Sequence, residues 1–272
     1  MGSMVRMRDC LQAWQALWLS RGLLLTMTRR ELAARYAGSA AGVAWAYLQP
    51  LLTVAAYVLV FDVVFSMRMG PGAPTARVGT YLVVGAVPWL MFCESLARGT
   101  SSLLDAGSLL QKNALPPVLI VARSVLAGWI VFVPLMLVLT LGYLPQSGLS
   151  WAVLARPLLL LMQGLLVFLL AHALAIVAAA VRDTVQVLGF ALSVGIYLSP
   201  ILFPLSMFPQ AWRWVLFANP MTALVLGYQS ILLQGQWPEP AVWGVTLVWL
   251  LAVALLLNVL IRRSRDELVD WL

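Results

Sequence analysis

Six long apolar runs constrain this chain more than anything else in it: residues 43–65, 80–97, 118–141, 154–181, 185–203 and 241–261. A helix needs about 20 mostly apolar residues to cross the roughly 30 Å hydrocarbon core of a bilayer. The fold class expected is therefore an all-α membrane protein with six transmembrane helices. Composition agrees, with 62% of the 272 residues hydrophobic and 10% charged, against about 45–50% and about 25% in soluble domains.

Six crossings put both ends on one side, and the basic residues choose that side. With the ends cytoplasmic, only Arg68, Arg77, Arg156 and Arg213 fall outside, and the rest of the 17 lysines and arginines fall inside. That is the positive-inside pattern. The formal charge of +7 reads as topology, because the basic residues are scattered between apolar blocks rather than gathered on one face, so no nucleic acid is expected as a partner. Cys10 and Cys93 suit neither a disulfide nor a metal site. No small-residue cleavage site follows a short apolar core at the start, so no cleavable signal peptide is expected.

Before the first run, Leu11, Trp14, Leu17 and Trp18 recur at helical spacing, with Arg21 close behind. The charged stretch Thr28-Arg29-Arg30-Glu31-Leu32-Ala33-Ala34-Arg35 follows. An apolar stripe bordered by arginines describes a helix lying in the membrane interface. Residues 1–36 are read as a cytoplasmic lead with this interface helix, and 37–272 as a single membrane domain without repeats.

Two connections look like more than loops. On the cytoplasmic side, Ser101-Ser102-Leu103-Leu104-Asp105 supplies capping residues. Leu109 and Leu110 add to the apolar component, and Pro116-Pro117 stops any helix. A short helix over residues 101–115 is expected, either docked into a partner's groove or serving as an amphipathic connector. On the outer side, residues 203–239 are too apolar for a solvated loop, yet Pro204, Pro209, Pro220 and Pro238 divide them. Two short helices that dip in and return fit this stretch, since irregular backbone at membrane depth survives only where protein or a cavity surrounds it. Such a cap is placed to gate an exit.

Catalytic chemistry is not visible. No GxxxxGK[ST] loop is present, and Lys112, the only lysine, has no glycine before it. His172 stands alone in the fourth run, where a proton relay and an interhelical hydrogen bond are both open readings. Glu94 precedes Arg98 by four residues, the spacing of a helical ion pair, and Asp62 falls near the outer end of the first run. Spans this poor in charge argue against ion-coupled transport. Aromatic residues are in surplus. Trp14, Trp18, Trp151, Trp237 and Trp243 suit interface belts. Trp45, Tyr47, Tyr57, Trp89, Phe92, Trp129 and Tyr197 fall within or at the ends of spans, where they either line a path for a sugar or pack helices together.

The order of short motifs adds a further reading. Arg30-Glu31-Leu32-Ala33-Ala34-Arg35-Tyr36-Ala37-Gly38-Ser39, then Gly42-Val43-Ala44-Trp45-Ala46-Tyr47-Leu48-Gln49-Pro50, resembles the opening signature of ABC-2-type polysaccharide exporter permeases. Gly85-Ala86-Val87-Pro88-Trp89, Leu110-Gln111-Lys112-Asn113, Arg182-Asp183, Leu198-Ser199-Pro200-Ile201 and Asn219-Pro220-Met221 follow in matching order. The resemblance runs from about Arg29 to the end. It implies the inner-membrane permease of an ABC exporter for O-antigen or capsular polysaccharide, a homodimer passing a lipid-linked glycan along its interface.

ATP and Mg would be bound by a separate nucleotide-binding ATPase subunit, with no cofactor, metal or catalytic residue in this chain. By the same resemblance Arg29, Arg30, Glu31, Arg35, Leu103, Leu104, Leu109, Leu110 and Lys112 would receive the ATPase stroke. Pro200, Pro204, Trp212, Asn219 and Pro220 would form the periplasmic gate. Capsule exporters of this family usually add a periplasmic adaptor and an outer-membrane channel. A small-molecule ABC-2 exporter is the nearest rival reading. A membrane glycosyltransferase is a rival of another class, which would need convergent carboxylates or a metal near one membrane face.

Overall fold

A computed structural model describes residues 17–70, 74–112, 115–147, 150–264 and 267–272. The stripe positions Leu11 and Trp14 lie outside the described residues. Everything described is helix, turn or connection, apart from one isolated antiparallel bridge between Arg68 and Arg77. The helices in chain order are α1 (Arg21–Arg35), α2 (Ala44–Tyr57, continued by a π-helical stretch Val58–Val64), α3 (Val78–Asp105), α4 (Gly107–Lys112) and α5 (Pro117–Ser147). After these come α6 (Ala155–Ala180), α7 (Thr184–Gly195), α8 (Arg213–Phe217), α9 (Thr222–Gln234), α10 (Pro240–Ser264) and α11 (Leu268–Trp271).

Five helical stretches are long and apolar enough to span a bilayer: Ala44–Val64, Val78–Asp105, Pro117–Tyr143, Trp151–Ala180 and Pro240–Ser264. The sixth expected span differs. The helix within residues 185–203 stops at Gly195 after 12 residues, about 18 Å at 1.5 Å per residue. The chain then continues in turns through Ile201. Pro200 biases Ser199 away from the α region, and Gly195 is pressed against Trp89, where a Cβ would sit 2.7 Å from the ring. The outer connection forms two short apolar helical segments, Gln210–Phe217 and Thr222–Gln234, bent by 104°.

α3 is the centre of the bundle, with most of its length buried and α5 and α6 packed along it. Small residues set that approach. A Cβ on Gly99 would lie 2.5 Å from the Ala171 Cβ of α6, and one on Gly128 2.4 Å from the Ser95 hydroxyl of α3. Without a hydrophobic drive between helices in lipid, close backbone approach of this kind supplies the packing energy.

The connection expected on the cytoplasmic side also departs from expectation. Residues 101–105 are the last turn of α3, not the start of a new helix. Ser101 Oγ donates to Asp105 Oδ2 at 2.9 Å and Ser102 Oγ to the Gly99 carbonyl at 2.7 Å. These hydroxyls bond within α3 rather than capping another helix. A break at Ala106 separates the six-residue α4. The C-terminal α11 packs on α6 and α4, and the Leu272 carbonyl faces Gly107. The C-terminus and the 101–115 connection therefore share one side of the bundle.

Candidate functional site

At the end of the bundle that carries α1, charge pairing decides how that helix sits. Glu94 is i,i+4 to Arg98 and pairs with it, as the spacing predicts, and the same Oε1 also takes Arg35 from the end of α1. On the next turn back, Glu31 pairs with Arg123 of α5 at 3.2 Å and accepts a hydrogen bond from Ser124 Oγ at 3.0 Å. Burial raises the Glu31 carboxyl above its usual range, opposed by Ser124 and Arg123. Thr28 and Leu32 complete the buried stripe of α1. Glu31 is thus turned inward and Arg35, though exposed, reaches across to Glu94, so that α1 docks onto α5 and α3, whereas Arg29 and Arg30 on the same helix are exposed and in none of the ion pairs among the described residues. A sequence reading of single helices sees the 94–98 pair but not its long-range arm.

The leucines expected at a partner surface divide the same way. Leu103 and Leu110 are buried core residues, which corrects their reading as free contact residues. Leu104 and Leu109 are half-buried and Lys112 is exposed. Arg182 and Asp183 are both exposed at the start of α7, in none of the ion pairs among the described residues.

The aromatic set splits too. Trp89 and Phe92 are 4% and 3% exposed, their centroids 5.5 Å apart, and they are packing residues of α3 rather than lining. Trp129 is half-buried against Gly164 of α6, where a Cβ would lie 2.2 Å from its ring. Tyr47 donates weakly to the Ile130 carbonyl at 3.4 Å, and Tyr57 lies beside Phe61. Trp45 and Tyr197 stand open at 44% and 63%. His172 is buried against the Phe168 ring at 6.0 Å, and no hydrogen bond of its imidazole is seen among the described residues.

The faces of α2 and α7 differ from that of α10. Exposed positions of α10 between Gly244 and Val259 are all apolar, the surface that lipid favours. α2 exposes Gln49 and α7 exposes Gln186 within otherwise apolar helices, while the exposed Ser193 hydroxyl of α7 donates to the Gly189 carbonyl of its own helix at 2.6 Å. Polar groups at membrane depth face a bundle interior or water rather than hydrocarbon. No residue of α7 is buried, and α2 buries only Ala46 and Pro50.

The opposite end is pinned by buried hydrogen bonds. The Pro200 carbonyl accepts from Tyr81 Oη and from Gln229 Nε2, both at 2.7 Å. Asn219 Nδ2 donates to the Gly195 carbonyl at 3.1 Å, and its Oδ1 accepts from the Met221 amide at 3.0 Å. One amide thus joins the end of α7 to the start of α9. Pro200 and Pro204 are buried, Pro220 half-buried, and Trp212 exposed with its ring against Trp214. Asp62, on the π-helical stretch, accepts from the Gly79 amide at 2.7 Å and from Thr80 Oγ1 at 3.3 Å. It caps α3 from another span, a role without a local sequence signal.

Among the described residues no group of three or more His, Cys, Asp or Glu side chains could hold a metal. Residues 22–233 match the family described as ABC-2 type transporter. The chain is 33% identical over 245 residues to an O-antigen export system permease protein RfbA of Myxococcus xanthus, covering 86% of this chain and 91% of that one. A protein of the same name from Klebsiella pneumoniae is 24% identical over 216 residues, 78% of this chain and 81% of that one. The polysialic acid transport protein KpsM of Escherichia coli is 26% identical over 250 residues, 88% and 91% respectively.

Proposed function

The chain belongs to the ABC-2 type transporter family, and from that premise we propose that it is the permease of a polysaccharide exporter in a bacterial inner membrane. It moves a lipid-linked polysaccharide of the O-antigen or capsule class outward, driven by ATP that a separate nucleotide-binding subunit hydrolyses. The names of its relatives support the cargo. The observation that carries the conduit reading is the contrast between helix faces: between Gly244 and Val259 α10 exposes only apolar residues, whereas α7, with no residue buried, exposes Gln186, and α2 exposes Gln49 beside the cavity of Arg35 and Glu94. In a homodimer those two helices face a partner copy and a hydrated path for sugar. Exposed Trp45 and Tyr197 offer rings with polar edges to that path.

In this reading the ATPase contacts the exposed cations Arg29, Arg30 and Lys112. The inward ion pairs of Glu31 and Arg35 carry its movement from α1 into α3 and α5. The hairpin of α8 and α9 closes the periplasmic exit and moves with α7 through Asn219. Both termini are cytoplasmic, and any periplasmic adaptor or outer-membrane channel docks above this hairpin. Movement of packed halves as near-rigid bodies is an ordinary repertoire for such a transition.

Affinity purification of the tagged chain in mild detergent tests this. A stoichiometric nucleotide-binding subunit should come with it, its ATP hydrolysis stimulated by glycolipid extracted from the same membranes. A chain that purifies alone, without ATPase activity, rejects the proposal.

A further inference from the structure

Between α1, α2, α3 and α5 lies a cavity of about 160 Å³ with two unlike ends. Its polar end carries Arg35 and Glu94 with Arg98 behind them, and Gln49 at the side. Its depth is lined by Leu90, Val131 and Phe132. The two guanidinium groups share one carboxylate oxygen, so this end keeps an excess of positive charge. The neighbouring Glu31, paired with Arg123 and Ser124, is also felt by Arg35, but with Arg123 beside it three guanidinium groups still face two carboxylates. The Arg35 side chain is 40% exposed and that of Arg98 only 15%, placing one cation at the opening and one inside.

Guanidinium groups present donors in a fork that matches the oxygens of a phosphate. We propose that this cavity binds a phosphate carried on an apolar chain, with the phosphate on Arg35 and Arg98 and the first carbons against Val131 and Phe132. At 160 Å³ it is below the roughly 300–1,000 Å³ of whole-ligand pockets. It therefore holds a headgroup and the start of a chain while the rest stays in lipid. The inference rests on the reading of the chain as a permease for a lipid-linked glycan and identifies where the lipid end is read. Glu94 is then a competitor for the two arginines, and an arriving phosphate loosens the tie between α1 and α3.

The test measures binding of farnesyl phosphate to the purified full chain in nanodiscs, without an ATPase subunit. Farnesol, inorganic phosphate and phosphatidylglycerol are the comparison probes. Arg98→Gln should weaken farnesyl phosphate binding about tenfold, the size of one charge-assisted hydrogen bond. Glu94→Gln should tighten it several-fold, because the competing carboxylate is gone. A purely structural latch gives the opposite pattern, with both variants lowering the melting temperature and neither tightening the ligand.

Ala46→Leu, which fills the cavity and leaves every charge in place, should also weaken binding. This keeps the test informative if a charge variant fails to fold. Equal binding of farnesol, inorganic phosphate or phosphatidylglycerol overturns the assignment, as does a Glu94→Gln variant that binds no tighter. If farnesyl phosphate does not bind while the ATPase still co-purifies, this site is rejected and the exporter reading stands.

Discussion

Asp62 shows how one side chain can cap a distant helix without a local signature. It sits in the π-helical end of α2, yet its carboxylate caps the first turn of α3, accepting from the Gly79 amide and the Thr80 hydroxyl. The first amides of a helix have no intrahelical acceptor, and the helix N-terminus favours a negative charge. Asp62→Ala should therefore cost about 1 kcal/mol, the usual worth of a cap, read as a lower unfolding temperature in detergent. Asp62→Asn keeps an acceptor and should recover most of the loss. Equal melting of Asp62→Ala and the parent chain would show that α3 is capped by something else. Glu94 and Glu31 make the same point at the inner end, where each carboxylate joins residues far apart in sequence.

At the scale of elements, α4 separates a surface from a core. Leu110 is buried while Lys112, two residues on, is exposed. Leu110→Asp buries an unpartnered charge, at a cost of several kcal/mol. It should lower yield and melting temperature rather than merely release a partner. Lys112→Asp should leave melting unchanged and reduce recovery of the ATPase subunit. Undiminished recovery with Lys112→Asp removes this cation from the proposed contact. α7 and the outer hairpin form a second such unit, since Asn219 bonds both the end of α7 and the start of α9.

For the whole molecule the uneven covering of the bundle matters most. α3 is enclosed, α10 exposes only apolar residues between Gly244 and Val259, and α2 and α7 show faces that suit neither water nor lipid alone. The proposed homodimer would resolve this with a second copy, and cysteine cross-linking measures it. In a background with Cys10 and Cys93 replaced, Leu52→Cys on α2 should yield disulfide-linked dimers in membranes. Leu251→Cys on the lipid face of α10 should not. Dimers from Leu251→Cys alone would place the interface on the wrong side of the bundle.

Much of this was legible from residue order alone. Span length follows from the bilayer thickness, so five of the six apolar runs are long helices at nearly the expected places. The Glu94–Arg98 pair follows from helix geometry, and the bent outer hairpin from its prolines and its apolar length. Those features depend on neighbours in sequence. Only the tertiary structure decided the rest, because it depends on neighbours in space. Gly195 and Pro200 end α7 early against Trp89 and the Tyr81–Gln229 pair. Ser101 and Ser102 extend α3 instead of starting a helix. Trp89, Phe92, Leu103 and Leu110 are claimed by the core. Glu31 turns inward and Arg35 reaches across because Arg123 and Glu94 wait on other helices. An apolar or charged residue in a membrane helix has several faces to choose from, and the packing of the remaining helices makes that choice.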